Sequence, residues 1–132
     1  VVKVPATRDG FAAASALVRD GATVLVTAVY SVAQALVCAS IGAQYIAPYL
    51  GRMRDAGIDG DAVIARMQGM CAGSDSNVLA ASLRSPDDIT GLRLAGVPYF
   101  TAAPDVIEQM LFHGVSDSSA AEFDAAMVRL GA

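Results

Sequence analysis

Short runs rich in β-branched and aromatic residues alternate along this chain with segments of helical periodicity. Five such runs are predicted to be strands, with centres near Lys3, Leu25, Ala47, Ala80 and Phe100: VVKVP, TVLVTAVY, AQYIAPY, NVLAAS and VPYFTAA. Successive centres lie about 20 to 30 residues apart, which leaves room for one helix between neighbouring strands. Parallel strands need a crossover of that length, so the alternation predicts successive parallel βα units.

Helix start and stop signals lie between the predicted strands. Thr7 or Asp9 can cap a first helix that ends at Gly21, and Ser31 with Gln34 forms a capping-box pattern for a second helix. The other predicted features are a helix stop at Gly42, a polar Gly-rich loop over GRMRDAGIDGD, a helix near 61–71, a helix that Ser85 and Pro86 begin, a helix over 104–112, and a final amphipathic helix capped by Ser119 with Glu122.

Five parallel βα units match part of a TIM (β/α)8 barrel, whose closure takes eight strands and roughly 200 to 250 residues. The 132 residues are therefore predicted to form a single domain over 1–132, the C-terminal five-eighths of such a barrel (strands four to eight), without its first three strands. Because the chain lacks an initiator Met, we expect that residues upstream of the opening strand were lost or lie on another chain. The alternative is an open doubly wound sheet, although no Gly-rich phosphate loop follows any predicted strand. A five-stranded sheet would expose two edges, so we expect it to pair with something or to dissolve poorly.

Charge and hydropathy limit the classes of partner. The net charge of -4 argues against a nucleic-acid backbone as ligand. Residues 21–51 carry no charge, but Gln34, Gln44 and Pro48 interrupt them and their period switches between strand and helix, so no membrane span is predicted. No signal-peptide pattern is visible, and Cys38 and Cys71 lack metal-ligand spacing. The sequence therefore predicts a cytoplasmic protein whose cysteines are reduced packing residues.

Alternation along the strands predicts one inward-facing set: Val1, Lys3 and Pro5; Leu25 and Thr27; Tyr45, Ala47 and Tyr49; Val78, Ala80 and Ser82. Within this set Lys3, Thr27, Tyr49 and Ser82 are polar, and Arg52 follows in the loop after the third strand. In barrels of this class the chemistry lies at the C-terminal ends of the strands, so these residues are candidates for one site. Burial disfavours a charged ammonium, so an inward-facing Lys3 is expected to offer a free amine that forms a Schiff base with carbonyls.

The neighbours of Lys3 suit the later steps of such a reaction. Tyr49, directly or through a water held together with Thr27, is expected to move protons. Arg52 offers a planar fork of donors suited to phosphate, and Ser82 with Arg84 can complete that anion site.

Each of these residues also has a plain structural interpretation. A lone strand lysine often protects a sheet edge, and strand hydroxyls usually bond to the backbone. Tyr49 suits a core position, and Arg52 suits a solvated loop. The shared placement of these residues at successive strand ends is what favours a catalytic site.

Four blocks of the sequence, VVKVPAT, TVLVTAVYSVAQAL, GAQYIAPYLGR and VLAASLRS, resemble in their order and spacing the transaldolase family. The closer likeness is to the branch of that family that includes fructose-6-phosphate aldolase, and it extends from residue 1 to about residue 106. The resemblance implies that Lys3 is the Schiff-base lysine of the fourth barrel strand and that Thr27 helps to hold the catalytic water. It also implies that Leu25 and Ala47 line the substrate pocket, and that no metal or other cofactor takes part.

The same resemblance implies a phosphate-binding pair, Arg52 and Ser82, and a reaction. Transaldolases usually carry phenylalanine at the position of Tyr49, whereas the aldolase branch carries tyrosine. The resemblance therefore implies a lyase of carbohydrate metabolism that reversibly cleaves fructose 6-phosphate to dihydroxyacetone and glyceraldehyde 3-phosphate, with sugar phosphates and hydroxyketones as its small-molecule partners. The nearer alternative is a transaldolase of the pentose phosphate pathway, which transfers a dihydroxyacetone unit between sugar phosphates. From a different class, the alternative is an inactive sugar-phosphate-binding or assembly remnant of such a barrel.

The chain also departs from the family pattern. The family's first three strands, which carry a catalytic aspartate and further polar residues, have no counterpart here, so weak or absent turnover is expected of this chain alone. Pro104 falls one position later than the family's usual proline, and nothing is carried over there. The family forms rings of five, often doubled into ten, so the intact parent is expected to be a homo-oligomer. The tail SSAAEFDAAMVRL fits either a helix that packs on a neighbouring subunit or one that packs on its own barrel.

Overall fold

The computed structural model describes residues 1–131, which form five strands and seven helices. The strands are Val2–Pro5 (β1), Val24–Val29 (β2), Tyr45–Pro48 (β3), Asn77–Leu83 (β4) and Tyr99–Ala102 (β5). The helices are Arg8–Arg19 (α1), Val32–Ile41 (α2), Leu50–Asp55 (α3), Gly60–Met70 (α4), Pro86–Leu94 (α5), Pro104–Gln109 (α6) and Gly114–Leu130 (α7).

The five strands form one parallel sheet in the order β1-β2-β3-β4-β5. Each strand thus pairs with the next along the chain, and the order never reverses as it does in a doubly wound sheet. Right-handed crossovers between strands in sequential order place all the connecting helices on the same face of the sheet. The fold is therefore an arc of a (β/α)8 barrel, as predicted, and the doubly wound alternative is wrong.

Local capping sets where most of the helices begin. The Thr7 hydroxyl accepts a hydrogen bond from the backbone N–H of Gly10 at 3.1 Å, so Thr7 and not Asp9 caps α1. Ser31 with Gln34 forms the predicted capping box of α2, which ends at Gly42 in the left-handed conformation, with φ 87°. Ser85 caps α5 and Pro86 occupies its first turn, again as predicted.

Two segments differ from the sequence prediction. The segment predicted as a Gly-rich loop contains the short helix α3, because Leu50 and Met53 are fully buried and fix one side of a helical turn. The last helix begins with His113 as its cap, whose ring nitrogen accepts from the N–H of Val115 at 3.3 Å, so the predicted start at Ser119 is wrong. Capping by a histidine ring has no strong sequence signal, whereas Ser119 with Glu122 imitates one.

The hydrophobic core lies between the sheet and the helices. Val26, Ile46 and Val78 point into it from three neighbouring strands, and all three side chains are fully buried. Cys38 and Cys71 lie in the same core as free thiols, as predicted, and burial raises the pKa of Cys38 to about 12. A thiol with that pKa stays protonated at neutral pH and behaves as a small apolar side chain.

The opposite face of the sheet has no helical cover among residues 1–131, and helix α7 contributes no buried residue. Phe123 and Met127 of this helix are 69% and 51% exposed, so α7 does not pack on its own barrel arc in the way one of the two predicted alternatives required. In the part of the chain that is described, no helix combines the length and the apolar character needed to cross a membrane.

Candidate active site

An open cleft of about 540 Å³ lies on the uncovered face of the sheet. Its lining comes from all five strands and from helix α3 with the residue before it: Lys3, Leu25, Ala47, Tyr49, Arg52, Leu79, Ala81, Ser82 and Thr101. The active sites of (β/α)8 enzymes use this side of the sheet, at the C-terminal ends of the strands. Six of the eight residues predicted for the site line this cleft directly.

Lys3 lies on the first strand, opposite Leu25 in the parallel register, and both side chains line the cleft. It is the only lysine in the sequence. An inward-facing Lys3 was expected to be shielded from water, but in the described chain its side chain is exposed. The reason is that β1 is an edge strand and nothing among residues 1–131 covers its cleft side.

Thr27 and Tyr49 form a hydrogen-bonded pair beside the cleft. The two hydroxyl oxygens are 2.7 Å apart, and either one can be the donor. The Thr27 side chain is buried, whereas Tyr49 is partly buried and its ring also contacts Tyr30 edge-to-face at a centroid distance of 6.1 Å. The Arg52 guanidinium carbon stacks 4.9 Å from the centre of the Tyr49 ring. Tyr49 is therefore held on three sides, with its hydroxyl directed to Thr27.

Two strand irregularities shape the C-terminal edge of the sheet. Ala28 in β2 and Ser82 in β4 both have a φ of 57°, in the left-handed region that non-glycine residues rarely adopt. The strand register shifts at both places, between Thr27 and Val29 and between Ala80 and Leu83. Such bulges often re-aim a side chain beside a functional site.

The bulge in β4 corrects the sequence prediction for that strand. Val78 and Ala80 were predicted to face inward together with Ser82, but both are fully buried among the helices. Ser82 lines the cleft next to Ala81 because the bulge interrupts the alternation that would otherwise place them on opposite faces. Simple alternation therefore assigned Ser82 to the correct face for the wrong reason.

Arg52 and Ser82 both line the cleft, whereas Arg84 does not. The Arg84 guanidinium instead pairs with the Asp55 carboxylate, with an Nη1 to Oδ1 distance of 2.8 Å. Hydrogen bonding to Arg84 holds the pKa of the Asp55 carboxyl below its usual range. The structure thus brings together two of the three residues predicted for an anion site and assigns the third to an ion pair.

Three lining residues were missed by the sequence analysis: Leu79, Ala81 and Thr101. Thr101 could have been found, because it lies two residues after Tyr99, on the same face of the strand and near the end of a predicted strand. Leu79 was missed because alternate residues of the fourth strand were assigned to the wrong face of the sheet. No sequence signal identifies Ala81, because its position depends on the bulge at the next residue.

Comparison with known proteins gives a consistent result over nearly the whole chain. Residues 1–131 match the family model described as Transaldolase/Fructose-6-phosphate aldolase. A "Probable transaldolase" of Paracoccus denitrificans (strain Pd 1222) is 38% identical over 132 residues, which is 98% of this chain and 61% of that protein. A "Probable transaldolase" of Cereibacter sphaeroides (strain ATCC 17025 / ATH 2.4.3) is also 38% identical, over 98% of this chain and 60% of that protein. The chain thus spans about three-fifths of the length of these curated relatives.

A solved structure supports the fold at a greater distance. The crystal structure of mandelate oxidase with (S)-2-phenylpropionate superposes with a TM-score of 0.55 at 18% sequence identity. The match covers 70% of this chain and 28% of that chain. At this level of identity the similarity concerns the fold alone.

Proposed function

The chain belongs to the transaldolase/fructose-6-phosphate aldolase family, and from this premise we propose that Lys3 is its Schiff-base nucleophile in the cleavage and formation of a carbon–carbon bond. The observation that carries the proposal is that Lys3 on β1 and Tyr49 after β3 line the same cleft. The Tyr49 hydroxyl lies 2.7 Å from the hydroxyl of Thr27, which is on β2, the strand between β1 and β3. An amine beside a fixed pair of hydroxyls is suited to attack a ketone and to move the protons that follow.

The proposed reaction starts when the Lys3 amine attacks the C2 carbonyl of fructose 6-phosphate. Loss of water from the carbinolamine gives a protonated iminium, which accepts the electrons of the C3–C4 bond as that bond breaks. The C4 hydroxyl loses its proton and becomes the aldehyde of glyceraldehyde 3-phosphate. The enamine that remains takes a proton at C3, and water then releases dihydroxyacetone and the free amine.

Tyr49 is proposed to give and take the protons of these steps, directly or through a water that Thr27 helps to hold. Its hydroxyl already makes a hydrogen bond with Thr27, and stacking against Arg52 and Tyr30 restricts the ring. Leu25 and Ala47 are proposed to contact the carbon chain of the substrate, because both line the cleft beside Lys3 and Tyr49.

Arg52 and Ser82 are proposed to bind the substrate's phosphate. Both line the cleft, and an exposed guanidinium can bind two phosphate oxygens at once. Arg84 would join them only by leaving its ion pair with Asp55, so we propose that in the free protein its main role is to hold that pair.

Tyr49 favours the aldolase reaction over transaldolase, because its hydroxyl supplies a proton donor that a phenylalanine would lack. The names of the curated relatives, "Probable transaldolase", favour the second candidate, transfer of a dihydroxyacetone unit between sugar phosphates. The two are separated by following glyceraldehyde 3-phosphate release from fructose 6-phosphate with and without an aldose acceptor. Release that depends strictly on the acceptor would assign the transferase reaction.

We also propose that the described arc is strands four to eight of a closed barrel within a cytoplasmic, oligomeric parent. Both outer strands, β1 and β5, lack a partner on one side among residues 1–131, and the relatives are longer than this chain. The uncovered cleft and the exposed Lys3 also support the alternative from another class, in which this chain alone binds sugar phosphates or assembles with a partner but turns over little.

The deciding experiment is borohydride reduction of the chain in the presence of fructose 6-phosphate or dihydroxyacetone, followed by intact-mass measurement. The proposal expects one added dihydroxyacetone unit per chain, and no addition in Lys3→Arg. Lys3→Arg is a suitable control because it keeps the positive charge on an exposed side chain. An equal adduct in both proteins would refute the role of Lys3.

A further inference from the structure

Four charged residues outside the cleft form a network between helix α3 and the turn from β4 to α5. They are Arg54, Asp55, Arg84 and Asp88, and none of them lines the cleft. We propose that the Arg54–Asp88 ion pair positions the anion site, by fixing the helix that carries Arg52 against the strand end that carries Ser82. The inference rests on the proposed function in one respect, namely that Arg52 and Ser82 bind the phosphate of the substrate.

Asp88 links three parts of the chain through one carboxylate. Its Oδ1 accepts a hydrogen bond from Nη1 of Arg54 at 2.7 Å. Its Oδ2 accepts from the backbone N–H of Arg84 at 2.7 Å and from that of Ser85 at 3.2 Å. The carboxylate thus completes the capping box that Ser85 begins at α5 and also holds a side chain of α3.

Asp88 is only 5% exposed, so its charge is placed where water cannot solvate it well. Burial opposes ionisation, but the hydrogen bonds from the backbone N–H of Arg84 and from the Arg54 guanidinium outweigh it and hold the pKa of Asp88 below its usual range. A buried carboxylate is stable only while its partners stay in place, so its geometry is strongly specified. This requirement makes Asp88 a fixed point for the elements that it joins.

The backbones of α3 and β4 also approach each other closely at this point. A methyl group on Gly51 would lie 2.8 Å from the carbonyl oxygen of Ser82 and 2.7 Å from Nε of Arg84. Gly51 directly precedes Arg52, so the arginine proposed to bind the anion follows a residue that packs closely against β4. The Arg84–Asp55 pair closes the same contact from the solvent side.

Helix α3 has only six residues and needs such support. A helix this short has little stability of its own, and its position depends on tertiary contacts. If the Arg54–Asp88 pair is broken, we expect α3 to shift relative to Ser82. The distance between Arg52 and Ser82 would then no longer allow one anion to contact both side chains. The substrate's hydroxyketone end, which lies at Lys3, is not expected to be affected.

The test compares Arg54→Gln and Asp88→Asn with the wild type. Arg54 is 42% exposed, so its replacement is expected to leave the fold intact, and Asn at position 88 keeps an oxygen that can cap α5. Asp61→Asn is the matched control, because Asp61 also accepts from Arg54, at 2.9 Å, but does not touch the β4–α5 turn. Arg52→Gln serves as the variant in which the anion site itself is removed.

Two readouts are used: the dissociation constant of inorganic phosphate from titration calorimetry, and the half-saturating concentrations of fructose 6-phosphate and of dihydroxyacetone in borohydride trapping. Arg54→Gln and Asp88→Asn are each expected to raise the dissociation constant of phosphate and the half-saturating concentration of fructose 6-phosphate about fivefold. The double variant is expected to show no larger change than either single variant. The half-saturating concentration of dihydroxyacetone is expected to change less than twofold in all three. Asp61→Asn is expected to change all three values less than twofold.

Wild-type affinity for phosphate in Arg54→Gln would overturn the inference, as would an equal loss for dihydroxyacetone, which would indicate general damage. If Asp88→Asn does not fold, Arg54→Gln decides alone. Failure of the proposed function gives a different result, in which no adduct forms at Lys3 with any substrate. The phosphate titration still compares the variants in that case. If the wild type and Arg52→Gln bind phosphate equally, or if neither binds it, no anion site exists to be positioned and the inference is wrong.

Discussion

The two faces of the sheet are made of the same five strands but differ in exposure and in polarity. On the helix side, Val24, Val26, Ile46 and Val78 are completely buried and purely apolar. On the cleft side, Lys3 is exposed and Leu25, Leu79 and Ser82 are partly exposed, whereas among the lining residues only the small side chains of Ala47 and Ala81 are buried. One face therefore determines the position of the backbone, and the other presents side chains whose identity hardly affects folding. This division allows a chemical group to be held by a backbone that the group itself does not help to stabilise.

The division weakens at the C-terminal ends of the strands. The bulges at Ala28 and Ser82 interrupt the alternation there, and the ion pairs of Arg54 and Arg84 hold the surrounding loops. Substitutions on the two faces, and at the strand ends where they meet, test how complete the separation is.

The largest effect on stability is expected from Ile46→Ala on the helix side. Removing this fully buried side chain leaves a cavity and should lower the free energy of unfolding by about 2–5 kcal/mol. Leu25→Ala, at the neighbouring cleft-side position, removes a partly exposed side chain and should lower it by about 1 kcal/mol or less. Urea denaturation measures both values. Equal losses would show that the cleft side is as important for folding as the core.

The next effect concerns chemistry on the cleft side. Tyr49→Phe keeps the ring and its contacts but removes the hydroxyl that bonds to Thr27. We expect the rate of borohydride-trappable adduct formation with fructose 6-phosphate to fall by about 10²-fold, because a positioned proton donor is lost. The free energy of unfolding should fall by only about 1 kcal/mol.

Tyr30→Phe is the matched control for Tyr49→Phe. Tyr30 packs edge-to-face against the same ring, and its hydroxyl makes no hydrogen bond to any residue within 1–131. An equal loss of rate in both variants would mean that ring packing, and not the Tyr49 hydroxyl, controls the step.

A smaller effect is expected where the two faces meet. Gly51→Ala places a methyl group against the Ser82 carbonyl and the Arg84 side chain, and should lower the free energy of unfolding by about 1–3 kcal/mol through overpacking. Gly69→Ala in α4 meets no atom of the described chain within 4 Å and should be neutral or stabilising by up to about 1 kcal/mol. Thermal denaturation of the two variants separates steric contact from helix propensity. A neutral Gly51→Ala would contradict the close contact between α3 and β4.

The smallest effect depends on pH. Because the folded-state pKa of Asp88 is lowered, its ionised form stabilises the protein above the unfolded-state pKa of about 4, and this contribution is lost as the pH falls through the folded-state value. Asp88→Asn should therefore be less stable than the wild type by about 1 kcal/mol at pH 7, since partly exposed Arg54 is screened, and the difference should close as the pH falls below about 4. Urea denaturation at a series of pH values measures the difference. A gap that is constant down to pH 2 would show that the charge of Asp88 is not its source.

The sequence was sufficient to predict features that depend on local chemistry. The five strands, the caps at Thr7, Ser31 and Ser85, and the common face of Lys3 and Tyr49 follow from strand period and capping patterns. These signals lie within a few residues of one another along the chain, so they can be identified without knowledge of the fold.

The features that were missed depend on contacts between distant segments. Val78 and Ala80 were assigned to the wrong face because a bulge at Ser82 has no local signature in a non-glycine residue. Helix α3 forms because Leu50 and Met53 find a core to pack into, and Arg84 turns to Asp55, which lies 29 positions earlier in the chain. Neither partner can be identified until the strands have been placed side by side.

The most direct test of the account is the location of the reduced adduct. Lys3 is the only lysine in residues 1–132, so a chain of these residues offers one other amine, its terminal amino group. Trypsin cuts unmodified chains after Lys3 and after Arg8, whereas a reduced adduct on Lys3 blocks the first cut. If Lys3 is the nucleophile, borohydride treatment with dihydroxyacetone gives a peptide that runs uncut through Lys3 to Arg8 and carries one added dihydroxyacetone unit. A peptide cut after Lys3, with the added mass on the terminal amino group or absent, would contradict the assignment of Lys3 as the nucleophile.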